Sequence, residues 1–142
     1  MSSLVESRFL RRLLILDAAT SGASAILLFF GAATLADLLS VPAQLLRGAG
    51  VILIPFVAFL AVLLRRRQLP RGGVALVIAL NATWVVASFL ILLEQTLTPN
   101  TIGYVTIVGQ AIAVSVLTEL QFVGLRRAVA AGGPRTSYSA ST

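Results

Sequence analysis

An uncharged apolar run from Val74 to Leu93, VALVIALNATWVVASFLILL, does most to narrow what this chain can fold into. At 1.5 Å per residue it is about 30 Å long as a helix, the thickness of the hydrocarbon layer of a bilayer. A backbone in lipid must satisfy its own N–H and C=O groups, and a helix does so within the segment. Three further apolar runs share the chain. Leu13–Ala36 reaches about 36 Å as a helix, Val51–Leu64 only about 21 Å, and Ile102–Val123 is again long enough to span.

Of 142 residues, 58% are hydrophobic and 11% charged, and the mean hydropathy is +0.97. Soluble domains carry about 25% charged residues. The expected fold is therefore all-α: a membrane-embedded four-helix bundle made of two helical hairpins, forming a single domain over 13–127. Its spans are expected near 13–36, 45–64, 74–93 and 102–123. Residues 1–12 make a basic flank, and 128–142 a flexible polar tail.

The first hairpin is the less regular. A basic start, an apolar run and the small residues Ala23-Ser24-Ala25 resemble a signal peptide, but hydrophobicity continues through Phe30 and Asp17 interrupts the core, so a retained helix is expected. Leu35–Gly50 reads as a connection holding a short interfacial helix or an early start to the second span, with Ser40 and Pro42 as a start signal. The second run is short, so the helix must borrow residues from Leu45 onward, with Arg47 extending toward the headgroups. Pro55 inside it predicts a kink; a re-entrant segment is the other way to explain the length.

Arginine placement sets the expected topology. Arg8, Arg11 and Arg12 precede the first span, Arg65, Arg66, Arg67 and Arg71 fill the loop between the halves, and Arg126 and Arg127 follow the fourth. The third loop, EQTLTPNT, has none. The positive-inside rule then puts both termini and the central loop in the cytoplasm, with Arg47 as the dissenting residue. The same clustering beside apolar runs accounts for the net charge of +6 without nucleic acid.

Polar residues inside the spans are the candidate site: Asp17, Asn81, Gln110 and Glu119. Asp17, near the end of its span, reads first as an interfacial anchor meeting water or an arginine. Asn81 is about 10 Å beyond Val74, too deep to reach headgroups, so it needs a partner in the bundle. Asp17, Asn81 and Glu119 fall at one depth, and if they converge they form either a proton or cation site or a network satisfied by Thr118, Gln121 or arginines. Close helix packing is expected at Gly22, along Ala75, Ala79, Thr83 and Ala87, and at Gly109 and Ala113. The lone tryptophan, Trp84, needs a partner for its indole N–H.

Without cysteine or histidine the chain lacks disulfides, thiolate chemistry and imidazole ligands, and it has neither a P-loop nor a dinucleotide-binding glycine pattern. No enzyme activity, metal or cofactor is expected. The segments LDAATSG, VPAQLLRGAG, NATW and QFVGLRR resemble the family of small, uncharacterised four-helix bacterial inner-membrane proteins, over roughly Phe9 to Arg127. That resemblance implies a multi-pass protein of the bacterial inner membrane and supplies no catalytic residue. The expected role is structural or accessory, through helix association, with membrane lipids and either a membrane-protein partner or further copies of itself. The alternative is a small ion, proton or metabolite transporter using the intramembrane carboxylates.

Overall fold

The structure, a computed structural model, describes residues 4–5 and 7–132. Five helices follow in order: α1 Arg8–Phe30, α2 Ala32–Leu39, α3 Ala43–Arg65, α4 Arg71–Leu93 and α5 Thr101–Ala131. Four of them, all but α2, are long and apolar enough to cross a membrane. Two short strands, β1 (Leu4–Val5) and β2 (Leu69–Pro70), pair antiparallel and tie the start of the chain to the central loop.

The expected first span divides. Its helix starts at Arg8, where the Ser7 hydroxyl accepts from Leu10 N, and stops at Phe30. After Gly31, α2 packs Ala32 and Leu39 into a small core with Val41 and Leu46, the connection and first turns of α3. Burial of that face, which one straight helix would leave in lipid, accounts for the break. α3 recruits residues as its short apolar run required, beginning at Ala43, and continues unbroken through the exposed Pro55. α5 overshoots its expected end at 123, because Leu125, Ala128 and Val129 pack beside Val5, Leu10 and Leu69. Residues 128–131 of the expected tail are thus helical, and 133–142 lie outside the described residues.

The most extensive packing is α1 on α3 and α4 on α5, with α1 on α5 joining the pairs. α1 and α3 run antiparallel and approach closely at Gly50, where a Cβ would lie 2.9 Å from Phe29 N and 3.1 Å from Ala25 O. Leu10, Leu14, Leu60, Leu63, Val74 and Val77 form the main core, toward one end of the bundle. At that end Arg11 closes α3. Its Nη1 donates to Leu64 O at 2.7 Å and its Nη2 to Arg66 O and Arg67 O at 2.6 and 2.9 Å, meeting carbonyls that a helix end leaves open. Arg8, Arg12, Arg65, Arg66, Arg67, Arg71, Arg126 and Arg127 are exposed around it.

The opposite end is held by Asn100. Its Oδ1 accepts from Gly103 N at 2.8 Å to cap α5, while its Nδ2 donates to Leu38 O at 2.8 Å and its backbone N to Leu39 O at 3.1 Å. Gly103 is required by this contact, since a Cβ there would overlap Leu39 O. Arg47 is exposed near the start of α3, toward this end.

Candidate functional site

Asp17 lies on the line Leu10, Leu13, Leu14, Asp17 that α1 buries. It is about 9 Å along the axis from Arg11, inside the apolar zone. Only 2% of its surface is accessible, and among the described residues its partners are two amides and a hydroxyl, not an arginine. The Asp17 Oδ2 accepts from Asn81 Nδ2 at 2.6 Å and from Gln121 Nε2 at 2.7 Å; Oδ1 accepts from Ser21 Oγ at 3.2 Å. Asn81 Nδ2 also lies 3.4 Å from Gln121 Oε1. The interfacial-anchor reading of Asp17 therefore gives way to a buried clasp linking α1, α4 and α5. The physical reason is Arg11, which is committed to the end of α3, and the facing of Asp17 toward α5.

Asn81 and Gln121 are likewise buried, at 5% and 0% exposure. α4 buries Val74, Val77, Asn81 and Ser88, a stripe of helical spacing that carries its polar residues inward. Glu119 shares the depth of the clasp but not its direction. It stands two positions before Gln121, about 200° away around the helix, and is exposed. Gln121 rather than Glu119 completes the site. One signal in the sequence selects it: Gln110 and Gln121 fall within about 20° of each other around α5, as two inward amides should.

Gln110 anchors a second polar group, about 16 Å farther along α5 from Gln121. Its Oε1 accepts from Trp84 Nε1 at 2.9 Å, and its Nε2 donates to Ser88 Oγ at 2.8 Å. The Ser88 hydroxyl in turn donates to Trp84 O at 2.8 Å. The indole thus finds its donor's partner in Gln110, and α4 and α5 are pinned at two levels. Among the described residues no buried side-chain nitrogen or oxygen lacks a hydrogen-bond partner.

The expected packing positions divide. Gly22 does face α3, where a Cβ would lie 3.7 Å from Val57 Cγ1. Ala75, Ala79, Thr83 and Ala87 are exposed, and so are Gly109 and Ala113. The α4 strip is on the far side from Asn81, because Ala79 and Thr83 each stand two positions from it. Buried amides need internal partners and small apolar residues do not, so the amides take the inner face. Gly50, Gly103 and Gly124, which the sequence did not single out, are the buried glycines among the described residues.

Chemically, the clasp offers one carboxylate held by two amides and a hydroxyl. Among the described residues no three of histidine, cysteine, aspartate and glutamate gather at a metal-binding spacing. A shallow apolar groove lined by Tyr104, Val105, Val108, Gly109 and Ile112 lies on α5 about 18 Å along the axis from Gln121. The four long apolar helices, with Asp17, Asn81, Ser88 and Gln121 buried between them, define an all-α, multi-pass membrane protein. No family model, curated protein or solved structure matches the chain.

Proposed function

We propose that this chain is a structural or accessory protein of the bacterial inner membrane, acting through helix association. The observation that carries the reading is the state of Asp17. A carboxylate at hydrocarbon depth is costly unless paired, and such residues commonly mark ion or proton paths. Here every bond it accepts comes from a neighbouring helix or its own, and the adjoining amides are consumed in holding it. That arrangement suits a joint between helices better than a site that loads and releases an ion. In the proposed topology the arginine-rich end, with the central loop and both termini, faces the cytoplasm. The resemblance to small four-helix bacterial membrane proteins is part of this proposal.

Gentle extraction followed by mass analysis of the intact assembly tests the role. A defined self-assembly or one specific membrane-protein partner is the expected result, and a lone monomer in several lipid compositions counts against it. Reconstituted vesicles test the competing class. Proton or cation flux above that of empty vesicles, abolished by Asp17→Asn, would move the assignment to transport.

A further inference from the structure

Glu119 is an exposed carboxyl on the outer face of α5, used by neither polar group. It lies about 10 Å along the axis from Arg126. The Cα–Cβ bond of a helical residue tilts toward the N terminus, which here directs the side chain away from the arginine-rich end and deeper into the apolar zone. Arg126, the next basic residue along α5, has its guanidinium 5.7 Å from the centre of the Phe122 ring. A carboxyl so placed is costly against lipid and calls for a hydrogen-bond donor at its own depth.

Depth leaves two exposed hydroxyls as that donor, Thr20 of α1 and Thr83 of α4, and the flanks choose between them: the exposed Leu16 stands one turn from Thr20, whereas alanines stand one turn either side of Thr83. The Asn81–Gln121 and Ser88–Gln110 bonds fix the level of α4 against α5, and counting from them puts Glu119 level with the turn Ala79–Thr83. Thr83 carries the exposed hydroxyl of this turn, with Ala79 and Ala87 exposed beside it on the outer face of α4. Its Oγ1 donates to Ala79 O at 2.9 Å. The helix already satisfies that carbonyl, so the hydroxyl can turn to another acceptor without orphaning a backbone group. Small side chains on either side permit a helix to approach closely. Copies inserted with one orientation share these depths, so Thr83 of one meets the level of Glu119 of the next.

Resting on the helix-association reading, we infer that the outer face of α5 at Glu119 docks a second copy of this chain through the outer face of its α4, with the Thr83 hydroxyl donating to the Glu119 carboxylate. The contact joins two different faces and is heterologous, so copies add in one rotational sense within the membrane plane.

Because the chain has no cysteine, introduced pairs report the contact cleanly. Two differently tagged full-length chains, Thr83→Cys and Glu119→Cys, are co-reconstituted in phospholipid vesicles and oxidised. The expected result is a mixed-tag disulfide dimer in several-fold excess over Glu119→Cys paired with Leu76→Cys or Leu90→Cys, exposed positions one heptad either side of Thr83. In the cysteine-free chain, Thr83→Val and Glu119→Ala should each weaken self-association by about 3-fold, the average for one interhelical hydrogen bond in lipid, and by about 18-fold at most, while Thr83→Ser retains it. Equal linking at the depth-shifted positions, or self-association unchanged by Thr83→Val and Glu119→Ala, overturns this contact and leaves the helix-association reading standing. A chain that is monomeric and partnerless in every lipid overturns both.

Discussion

The Asp17 carboxylate accepts a 2.7 Å hydrogen bond from Gln121, 104 positions further along the chain, and this bond joins the first span to the last. With the Asn81 bond at 2.6 Å it fastens the α1/α3 pair to the α4/α5 pair at a depth where water offers no substitute partner.

Asp17→Ala should lower unfolding stability by about 1–3 kcal/mol, since it leaves two buried amide donors without their acceptor. Asp17→Asn should cost less, because the new amide still offers an oxygen. Glu119→Gln should be close to neutral in the isolated chain, its side chain being exposed. Denaturant titration in mild detergent ranks the three, and a Glu119→Gln loss as large as that of Asp17→Ala would contradict the assignment of the clasp.

Gln110→Leu should release the indole of Trp84 from its 2.9 Å bond. As the chain has one tryptophan, its emission reports the change directly, with a blue shift expected as the indole loses its acceptor. The accompanying loss of stability should lie between about 0.6 and 1.7 kcal/mol, the average and the maximum measured for interhelical hydrogen bonds in membranes. An unchanged spectrum would mean that Gln110 does not hold the ring.

Gly50→Ala and Gly48→Ala make a matched pair two positions apart. A methyl at Gly50 would press on the α1 backbone at 2.9 Å, and a loss of about 1–3 kcal/mol is expected from overpacking. At Gly48 a Cβ meets nothing within 4 Å, so alanine should be neutral or stabilise α3 by about 0.5–1 kcal/mol. Thermal unfolding of both variants checks the sign of each.

Arg11→Ala should loosen the end of α3, where the guanidinium spans the carbonyls of Leu64, Arg66 and Arg67. Arg11→Lys should recover only part of the loss, because an ammonium lacks the planar fork that reaches several carbonyls together. Protease susceptibility of the central loop is the readout. Arg12→Ala, at an exposed neighbour of like charge, should leave it unchanged.

Some of the site could be read from spacing alone. Asn81 and Ser88 recur on one face of α4, and both are buried. The alanine strip through Ala79 stands opposite them by simple helix geometry, so its outward direction was implied once Asn81 was required to find a partner within the bundle. Asp17 was less legible. Its position near a basic flank favours an arginine partner as readily as an amide, and the folded loop decides the matter by engaging Arg11 elsewhere.

Sequence by itself determined an all-α plan of four apolar segments and a basic loop between the two halves, because length and polarity in lipid are local properties of each segment. Tertiary structure decided the break at Gly31 and the partners of Asp17, which accepts from Asn81 and Gln121 on two other spans while Arg11 is engaged at the end of α3. Those outcomes depend on how each helix rotates about its own axis when its buried polar groups are satisfied together, and no single span contains that information.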